Sequence, residues 1–260
     1  MRGPALLAAL ALAFASPAAG SIAPQSFSHL AFQQHPGAQL PLGAGLRDES
    51  GRPISLGTAL GSKPAIVVME YLHCANLCGL VLRGAVASMR EAHLMPGRDV
   101  ELVAISIDPR DTPHDAGHAR EMYAEAFGSP ATAGGMHFLT GSPDAVRAIA
   151  AKVGFPYRYD KASGQFAHPA GFVVTTPSGT ISRYVLGLSP AAAAVRTAVG
   201  QAAAGEVTPP AHPLLLLCFG YDPDPQTAAA LALRLVRWVS AATVGGLLLL
   251  VLWLARRRTA

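Results

Sequence analysis

The sequence predicts an α/β domain: a central sheet with helices on both faces, a hairpin at its end, and one C-terminal transmembrane helix. Three observations carry this. Apolar, β-branched runs alternate with segments of helical period. Pro177-Ser178-Gly179 separates two late strand-like runs, as a hairpin turn does. Residues 238–255 hold no charged side chain and run straight into Arg256, Arg257 and Arg258.

The elements follow in order. Residues 21–45 are rich in Pro, Gly and Gln and read as an irregular lead-in. Residues 65–71 form a continuous apolar run, the pattern of a strand buried on both faces. Residues 74–93 place Leu77, Leu80, Val81, Gly84, Ala85 and Met89 near helical spacing, and Pro96-Gly97 stops the run. A second β-branched strand spans 100–107 and ends at Asp108-Pro109. Thr112 then serves as an N-cap with Pro113 at the first helical position, for a helix to about 127. Residues 136–139 make a short strand, and Ser142-Pro143-Asp144 opens a helix to about 153. Residues 171–176 and 180–186 form the hairpin, and Ser189-Pro190 opens a last, Ala-rich helix. There is no internal repeat. In such sheets ligands bind at the carboxyl ends of the strands, where Cys74 and Asp108 fall.

Charge sets the topology. The chain has 260 residues, 20 Lys+Arg and 16 Asp+Glu, for a formal net charge of +4. Six of the bases are at 2, 234, 237 and 256–258, so residues 21–230 are near −2. A nucleic-acid-binding surface therefore loses its support, and 51% hydrophobic with 14% charged residues excludes a disordered chain. Residues 1–20 have a positive start, an apolar core and small residues at the end, which is a secretory signal peptide. Residues 231–255 read as a transmembrane helix with Trp238 and Trp253 near its edges. By the positive-inside rule residues 256–260 form a cytoplasmic tail, although Arg234 and Arg237 flank the other side. The expected protein is single-pass in the cytoplasmic membrane, with its soluble domain on the periplasmic side.

Three cysteines carry most of the chemistry. Cys74 and Cys78 are four apart, a spacing that puts both sulfurs on one helix face, near the positive end of the helix dipole. Two soft thiolates suit Cu(I); in an oxidising compartment they equally suit a disulfide. Structural zinc is disfavoured, since it needs four ligands and no second Cys pair exists. Of nine histidines, His168 lies 90 residues after Cys78, just before a strand, and spacing alone does not select it. His114 and His118 share a helix face and read as solvated surface.

Cys74-Ala75-Asn76-Leu77-Cys78 after one strand, Asp108-Pro109-Arg110-Asp111-Thr112-Pro113 after the next, and His168 before a hairpin strand together resemble the Sco/SenC family. The likeness covers about residues 40–205. It implies a thioredoxin-like fold and a membrane-tethered protein that binds copper and assists cytochrome c oxidase assembly. It further implies Cys74, Cys78 and His168 as copper ligands, with Asp108 behind them or in weak metal contact. The chain departs from the family in two ways. Gly79 stands where the family usually has Pro, which loosens a first helical turn by about 1 kcal/mol. The anchor is C-terminal; Cys218-Phe219-Gly220-Tyr221-Asp222-Pro223 resembles a family branch with such an anchor. The expected organisation is thus signal peptide 1–20, lead-in 21–39, thioredoxin-like domain 40–205, linker 206–230, span 231–255 and tail 256–260.

Two functions are expected. One is a metallochaperone passing copper to a cytochrome c oxidase subunit. The other is a thiol–disulfide oxidoreductase in which Cys74 and Cys78 keep a client's copper-ligand cysteines reduced. A thiol peroxidase is disfavoured, because its Pro-x-x-x-Thr-x-x-Cys signature is absent.

Overall fold

The computed structural model describes residues 30–72, 79–161, 164–210 and 228–258. The signal peptide, Cys74, Cys78 and the Cys218 stretch lie outside the described residues.

A mixed seven-stranded sheet organises the domain. Its strands are β1 (Gly45–Arg47), β2 (Pro53–Ser55), β3 (Ala65–Glu70), β4 (Glu101–Ser106), β5 (Met136–Gly141), β8 (Gly171–Thr175) and β9 (Ile181–Leu186). The spatial order is β2-β1-β5-β4-β3-β8-β9. β3, β4 and β5 are parallel neighbours, β8 runs antiparallel to β3, and the β8–β9 hairpin closes that edge. A separate two-stranded hairpin is built from β6 (Arg158–Asp160) and β7 (Gln165–Ala167).

Continuous burial of β3 and β4 follows from cover on both faces. Alternate residues of one strand point to opposite faces. Ile66, Val68, Leu102 and Ala104 pack with α2 (Leu80–Glu91), α3 (Pro113–Phe127) and α5 (Ala192–Ala203). Ala65, Val67, Val103 and Ile105 pack with α1 (Leu56–Leu60) and α4 (Pro143–Val153). The expected helix starts hold at two places. Thr112 caps α3 in a capping box with Asp115, with Pro113 in the first turn. Ser142 caps α4 through the Ala145 amide at 3.3 Å.

Other boundaries differ. The helix expected over 74–93 begins, in the described residues, at Leu80 with Gly79 as its N-cap. The last domain helix begins at Ala192, not after Ser189, and Ala191 gives it no side-chain cap. Sequence reading missed β1, β2, α1 and the β6–β7 hairpin, all of five residues or fewer.

Residues 228–258 form one helix, α6 (Ala228–Arg258), of 31 residues. Among the described residues no helix is long and apolar enough to cross a membrane, so the transmembrane helix expected over 231–255 is not found as such. Apolar side chains of α6, including Leu235, Trp238, Val239 and Leu247, are exposed.

Candidate metal and thiol site

The carboxyl ends of β3 and β4 are tied together by one side chain. Asp111 Oδ2 accepts from the Leu72 amide at 2.7 Å and from the Ser106 hydroxyl at 2.5 Å. The Ile107 amide donates to the Glu70 carbonyl at 2.9 Å, one more rung across the same junction. Leu72 is the last described residue before Cys74. The Asp-Pro-x-x-Asp stretch therefore anchors the chain just where the cysteine segment departs. Asp111 is 7% exposed, and a buried carboxylate oxygen accepting from two donors is a strong fixture.

Asp108 is committed elsewhere. Its carboxylate takes a two-pronged contact from Arg110, Nε to Oδ1 at 2.9 Å and a terminal nitrogen to Oδ2 at 2.6 Å. The Arg110 guanidinium in turn lies 5.2 Å from the centre of the Tyr159 ring. These groups, with Arg147, Tyr157 and Phe166, line a cleft of about 450 Å³ at the ends of β4 and β5. Its place agrees with the rule for open α/β sheets.

His168 follows β7 and is half-buried in an aromatic nest. Its ring stacks on Phe155 at 5.5 Å and meets the Tyr71 ring edge-on at 6.0 Å. Phe166 packs on Tyr71 at 5.5 Å. Nδ1 of His168 is 3.0 Å from the Pro169 carbonyl. A carbonyl oxygen only accepts, so Nδ1 carries the proton and Nε2 keeps its lone pair. Burial pushes the imidazole pKa below its usual value, more than the Pro169 contact raises it. A neutral ring with Nδ1 fixed to a carbonyl is the form a metal-ligating histidine takes. This donor chemistry fits a soft or borderline metal ion.

The expected site residues thus divide. His168 and Asp108 both lie at the carboxyl-end side of the sheet, through Tyr71 and the β4 terminus respectively, while Cys74 and Cys78 lie outside the described residues. Among the described residues no group of three or more His, Cys, Asp or Glu is arranged to hold a metal. His114 and His118 are exposed, as expected of solvated surface. Sequence reading missed the linking role of Asp111, the Arg110 clamp, the aromatic nest and the buried Glu70. Glu70 left a signal: it is the one charged residue in the run 65–71.

A mixed sheet covered by helices on both faces defines an α/β protein similar to Sco thioredoxin-like structures. The SCO1/SenC family model matches residues 45–203, and the chain belongs to that family. Two solved structures agree at the level of the fold, and a third is like the chain in sequence. A protein of Aquifex aeolicus VF5 is 23% identical, covering 65% of this chain and 95% of its own, at a TM-score of 0.57. BsSco, a member of the Sco family of cytochrome c oxidase assembly proteins with a disulfide switch, is 17% identical over 65% of this chain and 96% of its own, at 0.51. Arabidopsis thaliana ScoI, solved with copper bound, is 20% identical over 66% of this chain and 98% of its own, at 0.48. No curated protein sequence matches the chain.

Proposed function

We propose that this chain is a membrane-tethered copper chaperone that helps deliver copper to a cytochrome c oxidase subunit during assembly. The observation that carries the reading is His168, whose Nδ1 is tied to Pro169 so that Nε2 is left as a donor beside Tyr71 at the end of β3. Copper is the cargo, and Cys74, Cys78 and His168 are its ligands in this reading. The thiols must be unprotonated and unoxidised to take part, so capture depends on redox state. Asp108, held by Arg110, supports the cleft wall and stands behind the ligands.

The tether rests on the sequence. In the sequence the charge-free stretch 238–255 approaches the ~20 residues a span needs. In this reading residues 1–20 export the domain, 40–205 fold outside the cytoplasmic membrane, 206–230 link, and 256–260 remain inside. Confinement to a surface raises the effective concentration near a membrane-bound acceptor.

A thiol–disulfide oxidoreductase is the second reading. Gly79 offers α2 no side-chain cap, so a helix amino end follows directly after Cys78 and favours thiolate. In that reaction Cys74 and Cys78 form a disulfide while a client disulfide takes up their two electrons and two protons.

The test uses the reduced full-length chain in detergent with Cu(I). Wild type is expected to bind one Cu(I), and His168→Ala to bind at least tenfold more weakly, about 1.4 kcal/mol. No Cu(I) binding by wild type at micromolar protein sinks the chaperone reading. Equal affinity in His168→Ala sinks the ligand assignment.

A further inference from the structure

His168 follows directly on β7, yet no ladder joins the β6–β7 hairpin to the seven-stranded sheet. A lone two-stranded hairpin is marginal in water, so its seat depends on side chains. Two contacts supply it. Phe166 of β7 packs on Tyr71, just past the end of β3, at 5.5 Å, and its backbone N–H donates to the Tyr71 hydroxyl. Tyr159 of β6 carries the other contact. It pairs with Phe166, its ring 5.1 Å from the Phe166 ring, and the Arg110 guanidinium lies over it at 5.2 Å. Asp108, whose side chain is 1% exposed, holds that guanidinium by two prongs. Tyr159 itself is 40% exposed, so burial alone does not fix its ring. Contacts thus run without a break from the end of β4 through Arg110, Tyr159, Phe166 and Tyr71 to the His168 ring.

We propose that Tyr159, locked by Arg110, is a positioning residue for His168: it seats the hairpin so that the imidazole is held in place with Nε2 as a donor. The inference rests on the reading of His168 as a copper ligand. The bond from Nδ1 to Pro169 fixes the tautomer, but Pro169 is the next residue in the chain. That bond travels with the corner and does not place it. Placement comes from the rings around the imidazole, Phe155 and Tyr71. A ring already placed gives up little freedom on binding a ligand, whereas one on a loose corner gives up more, and affinity falls. The Arg110 contact and the Tyr159–Phe166 ring pair are the part of the seat that reaches across from β4. Arginine suits this task, because a planar guanidinium holds a carboxylate with its edge and still offers a face to an aromatic ring.

The experiment uses the reduced full-length chain in detergent with Tyr159→Leu, which removes the ring, Tyr159→Phe, which keeps it, and His168→Ala. The first measurement needs no copper. In proton NMR the Cε1–H line of His168 is identified by its loss in His168→Ala. It is expected to be narrow and shifted by the Phe155 and Tyr71 rings in wild type and in Tyr159→Phe. In Tyr159→Leu it is expected to move toward the free-imidazole position, and a line that stays in place overturns the proposal. The second measurement is Cu(I) affinity against a competing chelator. Tyr159→Leu is expected to bind about fivefold more weakly, and Tyr159→Phe as wild type does. In the His168→Ala background Tyr159→Leu is expected to change nothing. The same fivefold loss in that background would place the effect in the fold at large and overturn the proposal. A wild type that binds no Cu(I) ends the copper reading, and the NMR line still decides what Tyr159 positions.

Discussion

Two glutamates are buried at opposite ends of the sheet, one held by a lysine and the other by an amide. Glu101 opens β4 at the amino ends of the strands, 6% exposed, with the Lys63 ammonium 3.0 Å from Oε1 and His137 Nε2 3.6 Å from Oε2. Glu70 closes β3 at the carboxyl ends, 3% exposed, with the Leu82 N–H as its hydrogen-bond donor. The surroundings differ in the same way. The Glu101 carboxylate is ion-paired with Lys63 as part of the scaffold. A carboxylate facing an amide across an apolar core keeps its proton up to about pH 8. One buried carboxylate is ion-paired and the other is met by a backbone amide.

The largest test strikes the tie between β3 and β4. Asp111→Ala leaves the Leu72 amide and the Ser106 hydroxyl without their acceptor, and is expected to cost about 4 kcal/mol in urea unfolding. A loss under 1 kcal/mol would show that the junction is held by the sheet ladder alone. The next test separates the two glutamates by pH. The folded Glu70 carboxyl titrates near 8 against an ordinary value near 4.5. The folded state therefore binds the proton that the unfolded state has released, and stability falls as pH rises from about 4.5 to 8. Glu70→Gln removes this fall. It is expected to match wild type at pH 4 and to exceed it by about 4 kcal/mol at pH 8, the gap levelling near ~5 kcal/mol above. Parallel stability curves for the two proteins would erase the contrast between the two ends. The smallest effect belongs to Lys63→Met. Lys63 is partly exposed, and losing its bond to Glu101 is expected to cost about 2 kcal/mol at pH 7. A variant as stable as wild type would show that His137 suffices to hold Glu101.

Much of this architecture was legible in the sequence. β3, β4, β8 and β9 are runs of apolar and β-branched residues, and Thr112 and Ser142 announce the helices that follow them. Period and capping are local properties, so they survive in a single sequence. The hairpin β6–β7 was not legible. Arg158-Tyr159-Asp160 is polar and only three residues long, and its pairing with 165–167 is a tertiary outcome. The short β1–β2 pair is invisible for the same reason. At the site, His168 stood out only through the family resemblance, because its spacing from Cys78 carries no geometric signal. Its tautomer, fixed by Pro169, and its aromatic nest depend on Phe155 and Tyr71, from a loop and a strand end far apart in sequence. Glu70 was legible as an oddity, a lone acid in an apolar run, but not as a cap for α2, since that requires β3 and α2 to be placed together.

The pairing of β3 with β8 has a consequence for the order in which the protein matures. Ala65 lies opposite Thr175, so residues more than a hundred apart must meet before the His168 corner is seated beside Tyr71. Contacts of such long range form slowly and late. In the proposed role, a chain still emerging or half folded already presents its two thiols but has no fixed imidazole beside them. The folding clock, rather than any regulator, then separates the interval in which the thiols are exposed to oxidants from the moment at which a complete ligand set exists.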